Sequence, residues 1–135
     1  WEHTDRALSE QLLLEEEGYP ATAGPGHAAI RFVNPTTGGD VMSTIRCEFH
    51  RLREGAETPL RHEVGGSVFQ VFSGRGAAVI GGVTHRLDTG DIFVMPSWVP
   101  WSLQAESQFD LFRFSDHPIV ERLNFARTHV PGLDT

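Results

Sequence analysis

The sequence predicts an all-β domain, a jelly-roll barrel or sandwich with a short helix at each end, and three observations predict it. Apolar and polar residues alternate with a period of two from residue 28 onward, over roughly ninety residues. The alternating runs are short and are split by Gly, Pro and Asp turns, with no helical stretch between them. A content of 14 Gly and 8 Pro in 135 residues suits many turns better than a helical bundle. A chain of this length folds as one domain and buries about two thirds of its unfolded surface.

Residues 4–17, TDRALSEQLLLEEE, form the first helix: Thr4 and Asp5 are cap candidates, Leu8 and Leu12 stand four apart, and Gly18-Tyr19-Pro20 stops it. Glu15, Glu16 and Glu17 oppose the helix dipole and read as a solvated tip. ATAGPGHA is a loop by composition. The strands are then AAIRFVN, STIRCEFHRL, SVFQVFSG, GAAVIGG, THRLDTGD, DIFVMP, WSLQA and FDLFRFS. In the second of these, Ile45, Cys47 and Phe49 are expected in the core and Arg46, Glu48 and His50 on the polar face. Ser115 and Asp116 can cap a second helix, PIVERLNFAR, before a tail VPGLDT. The expected organisation is a helix and linker over 1–27, a β-barrel over 28–115, and a helix and tail over 116–135.

A net charge of −7 and the absence of any Lys or clustered Arg oppose a nucleic-acid partner or an anionic membrane surface. Neither a basic stretch followed by an apolar one nor an apolar run near the length of a membrane span is present in the sequence. The lone Cys47 has no internal disulfide partner and reads as packing, which fits a reducing, cytoplasmic setting. The chain opens on Trp1 and not Met, so a piece of a longer polypeptide is the expectation.

The seven histidines include no pair two or four residues apart, so no strand or helical pair starts a metal site. His50 and His85, on the polar faces of their strands, are expected at the surface. SGRGAAVIGG has the glycines of a phosphate loop but joins strands and opens no helix, so it is a turn.

One pattern survives. Gly55, Arg61, Glu63, Ser67 and Gly74 keep the spacing of the first cupin motif, in which the middle three positions are ordinarily His, His and Glu. DTGDIFVMPSWVPW resembles the second motif, with Trp101 where the last His is ordinarily found. RFVNPTTGGDVMSTI, FSGRGAAVIGG, GDIFVMPSW and FRFSDHPI, with the opening WEHTDRAL, resemble the C-terminal cupin half of gentisate 1,2-dioxygenase and its relatives acting on salicylate or hydroxynaphthoate. The resemblance implies a cupin jelly-roll, or double-stranded β-helix. It implies a bicupin polypeptide in which an N-terminal cupin holds Fe(II) through three His and opens an aromatic ring with O2, converting gentisate to maleylpyruvate. It also implies a homotetramer. This half is then non-catalytic and metal-free, a structural and oligomerising partner of the N-terminal cupin.

Side chains two apart on a strand share a face, so Arg61 and Glu63 point into the barrel and His62 points out. Arg cannot act as a metal donor, and Trp101 fills volume where an ion would sit. The expectation is an Arg61–Glu63 pair in place of the ion. The alternatives are a bulge at Pro59 that turns both residues onto the rim, a weak second iron site through His62 and Glu63, and a stand-alone cupin that binds an organic acid through Arg61. Trp98, Trp101, Pro96 and Pro100 form an aromatic lip, read as plugged core or domain interface in preference to a pocket mouth.

Overall fold

The computed structural model describes residues 1–18 and 24–129. Tyr19 and Pro20 of the expected helix stop, part of the ATAGPGHA loop and the VPGLDT tail lie outside them. The elements run α1 (Glu2–Glu16), β1 (His27–Arg31), β2 (Arg46–Leu52), β3 (His62–Glu63), β4 (Ser67–Ser73), β5 (Gly76–Ile80), β6 (Val83–Leu87), β7 (Ile92–Met95), β8 (Trp101–Ala105), β9 (Phe109–Ser115), α2 (His117–Arg122) and β10 (Thr128–His129). Every expected strand is present. β3 and β10, two residues each, are additions too short to leave a periodic signal.

Two antiparallel sheets face one another, five strands in the order β1-β2-β9-β4-β7 and three in the order β6-β5-β8. Alternation along each strand sends one face inward, and the inward sets interdigitate between the sheets. Phe69 and Val71 of β4, Leu111 of β9, Ala78 of β5 and Leu103 of β8 are all at most 2% exposed there. This is the jelly roll that the period of two predicts.

A second cluster, Leu8 and Leu12 of α1 with Ala28 and Phe49, lies on the outer face of the large sheet. Strand β2 is therefore buried on both faces, and this reverses the expected phase. Phe49 packs outward under α1, while Arg46, Glu48 and His50 face the barrel mouth. Period two shows that two faces differ; it does not show which one a helix covers. Cys47 shares the outer face, half-buried, where burial and the nearby Asp40 and Glu48 carboxylates push its thiol up.

Helix ends differ from expectation for local reasons. α1 begins at Glu2 with no side-chain cap, because Asp5 is drawn to Arg51 at 2.6 Å. α2 stops at Arg122, and Asn124 then takes a left-handed φ of 59° that lets the chain turn back to pair β10 with β3. The Asp116 carboxylate accepts from the Gly66 N–H at 3.0 Å, and α2 is left without a side-chain cap. No helix among the described residues is long and apolar enough to cross a membrane.

Candidate functional site

The segment before β3 lies along β8. Arg61 and Trp101 form a reciprocal backbone pair, each N–H donating to the other's carbonyl at 3.0 Å. Between the bridges Glu57↔Gln104 and Arg61↔Trp101 the first chain advances 61 − 57 = 4 residues and the second 104 − 101 = 3. One extra residue, a bulge, therefore sits around Pro59. The bulge does not turn the charges onto the rim. Arg61 and Glu63 keep 22% and 15% side-chain exposure and line the same cavity of about 300 Å³.

Within that cavity the expected pair is real but secondary. Arg61 Nη1 stands 3.5 Å from Glu63 Oε1, whereas Glu63 Oε2 accepts from Arg113 Nη2 at 2.7 Å. Arg113, on β9, is the centre of the group: its Nε donates to Ser67 Oγ at 3.0 Å and its Nη1 lies 3.4 Å from Glu48. Its guanidinium sits over the rings of Phe69 and Trp101, at 5.3 and 5.7 Å, and Arg61 sits over Trp101 at 5.4 Å. Trp101, 4% exposed, is thus the floor for two cations, worth about 0.5–2 kcal/mol each when desolvated. The cluster of Arg61, Arg113, Glu48 and Glu63 carries two charges of each sign.

Sequence reading missed Arg113. The signal was available: Leu111, Arg113 and Ser115 share a phase on FDLFRFS, and Leu111 is fully buried. His50 was also misplaced; it is 8% exposed and lines the mouth, while His85 is exposed as expected. His27 Nε2 and His50 Nδ1 share a hydrogen bond of 2.8 Å, and His50 Nε2 stands 3.6 Å from Glu48, beyond hydrogen-bond reach. Burial, then the neighbouring His50 and Arg61, hold the His27 imidazole down to about 3. Burial raises the Glu48 carboxyl, but the His50 ring and the charge of Arg113 outweigh it and bring it to about 2. His27 is therefore neutral and Glu48 ionised at neutral pH.

These residues do not fit a ferrous ion. Arg61 offers no lone pair, the indole N–H of Trp101 only donates, and Ser67 and Glu63 are both engaged by Arg113. Among the described residues no three His, Cys, Asp or Glu side chains gather in a way that could hold a metal. His62 lies against Trp98 and His129, with ring centroids at 5.4 and 5.7 Å, and is not among the residues lining Glu63's cavity. The lip divides as well: Trp101 plugs the core, whereas Trp98 is 46% exposed and adopts a left-handed φ of 60°, uncommon for a bulky residue. A larger cavity of about 520 Å³ lies between residues 34–43 and α2, but its charges Asp40 and Glu121 are bound by Arg46.

The two-sheet barrel is the frame of a cupin domain, and residues 48–112 match the family model described as "Cupin domain". The fold is a cupin fold. Within it, the likeness is to ring-cleaving dioxygenases. Gentisate 1,2-dioxygenase of Streptomyces sp is 52% identical over 95% of this chain and 36% of its own length. 5-Aminosalicylate 1,2-dioxygenase of Comamonas sp is 31% identical over 79% of this chain and 29% of its own length. Salicylate 1,2-dioxygenase of Pseudoaminobacter salicylatoxidans superposes with a TM-score of 0.94 at 72% identity, covering 98% of this chain and 38% of that one. The chain thus spans about a third of the length of the relatives it matches.

Proposed function

We propose that this chain is the non-catalytic, C-terminal cupin of a bicupin dioxygenase that cleaves the ring of a hydroxylated aromatic acid, of the gentisate 1,2-dioxygenase type. The observation that carries it is the combination of high identity to such enzymes with a ligand frame filled by Arg61, Glu63, Ser67 and Trp101. In this reading Fe(II), O2 and the aromatic acid meet in the N-terminal cupin of the same polypeptide. The assembly is a cytoplasmic homotetramer, and this half supplies packing surface. An uncovered apolar face supports a packing role: Phe72, Ile92, Val94 and Phe114 are 40–65% exposed on the outer side of the five-stranded sheet.

The test compares the 135-residue chain with the full-length polypeptide. With added ferrous iron and gentisate, the chain alone gives no turnover, and the full-length protein contains one iron per subunit. Turnover by the chain alone refutes the non-catalytic role. Two irons per subunit favour a second site in this half.

A further inference from the structure

We propose that the barrel mouth is a binding site for a small organic carboxylate, with Arg61 as its anchor. The site is built from this chain's own residues, and the inference rests on the reading above that ring cleavage belongs to the other cupin.

Arg61 is the reason. Its side chain lines the cavity of about 300 Å³, and its aromatic floor, Trp101, fixes the guanidinium plane. Among the described residues its one ionic contact is the 3.5 Å approach to Glu63 Oε1, and Glu63 gives Oε2 to Arg113 at 2.7 Å. Among the described residues Arg61 makes no side-chain hydrogen bond, and its buried Nε has no partner there. Arg113 beside it has Ser67, Glu63 and Glu48. An arginine with five donors, held in place and unsatisfied, matches the fork of a carboxylate.

A second donor faces the same space. His50 is 8% exposed, its Nδ1 is tied to His27, and its Nε2 has no hydrogen-bond partner among the described residues. When Nδ1 accepts from His27, Nε2 carries the proton and stands 3.6 Å from Glu48 Oε1 at the edge of the same cavity. Both residues line the one cavity, and Arg61, 22% exposed at its side chain, presents the open donors there, which points to a polar guest. The volume sets the size: about 300 Å³ is the lower end for ligand pockets, enough for a monocyclic acid or a short dicarboxylate and too small for a nucleotide.

The test needs no iron and no second cupin. The 135-residue chain, which encloses its own core between two sheets, is titrated with benzoate and with benzamide, which has the same shape without the charge. Calorimetry and NMR of the Arg61 Nε–H and the Trp101 indole N–H follow the binding. Benzoate is expected to saturate and to shift both signals, with benzamide at least about tenfold weaker. Arg61→Gln is expected to abolish the benzoate response while the fold, followed by circular dichroism, is kept. No saturable benzoate binding, equal binding of benzamide, or unchanged binding in Arg61→Gln overturns the proposal. If Arg61→Gln does not fold, the benzoate–benzamide contrast on the parent chain decides.

Discussion

Arg51 on the outer face of the large sheet and Arg61 at the barrel mouth are both drawn out of water, the first to 3% side-chain exposure and the second to 22%. Arg51 is fully engaged. Its Nε and Nη2 grip the Asp110 carboxylate at 2.7 and 3.0 Å, Nη2 also meets Asp5 at 2.6 Å, and Nη1 donates to Ser9 Oγ at 2.8 Å. Asp5 and Ser9 lie on α1, so one guanidinium fastens the helix to strands β2 and β9. Arg61 makes a single loose ionic contact among the described residues. The difference teaches that burial alone does not assign an arginine its role; the count of satisfied donors does. A saturated guanidinium holds elements together, and an unsatisfied one in a cavity is available to a guest.

The largest effect that tests this contrast comes from breaking the saturated side. Asp110 is 2% exposed, and Asp110→Ala leaves the Arg51 cation buried with its main partner gone. The expected loss is about 3–5 kcal/mol in urea unfolding, with faster hydrogen exchange along α1 as the helix loosens. A loss below about 1 kcal/mol would show that α1 is held by Leu8 and Leu12 alone and that the ionic fastening is incidental.

Arg51 also shows what was legible in the sequence and what was not. The strands were, because alternation and Gly/Pro punctuation are local, and the cupin frame located Arg61, Glu63, Ser67 and Trp101. The partnerships were not. Glu63 pairs with Arg113 across 50 residues and Arg51 with Asp110 across 59; the β2–β9 pairing brings the second two together, and the first two meet between separate sheets. His50 was misplaced because α1 covers the apolar face of β2, so its polar face, with Arg46, Glu48 and His50, is the one turned to the barrel mouth. A bulge around Pro59 was foreseen as a way to expel the charges. It is present, and Arg61 still points inward because the reciprocal backbone pair with Trp101 fixes its side.

Acid separates the two regions next. His27 at the mouth has its imidazole lowered from 6.5 to about 3, so below pH 6.5 the unfolded chain takes up a proton that the folded chain refuses. Stability from this group is complete above pH 6.5 and falls as pH drops toward 3, by at most about 2 kcal/mol at pH 5. Glu48, lowered from 4.5 to about 2, adds a second loss between those values, because its ionised form is the one the fold favours. Urea midpoints at pH 7.5, 5.5 and 4 measure both. His27→Gln is expected to flatten the profile between pH 6.5 and 4.5 and to leave the Glu48 loss alone below that. A flat profile in the parent chain from pH 7.5 to 5 contradicts a buried, neutral His27.

The smallest expected effect is on the unsatisfied side, and it sharpens the comparison most. Arg61→Gln removes a charge without stranding a carboxylate, because Glu63 keeps Arg113 at 2.7 Å. The contact with Trp101 is lost, a cost of about 0.5–2 kcal/mol. A buried, partnerless Nε is lost with it, a relief of about 1–3 kcal/mol. The two terms oppose each other, so the urea midpoint is expected to move by less than about 1 kcal/mol equivalent. A loss of 3 kcal/mol, comparable to Asp110→Ala, would mean that the long contact with Glu63 is the true support of the mouth. Arg61 would then be structural in the same sense as Arg51, and the distinction between saturated and unsaturated guanidinium groups would fail for this fold.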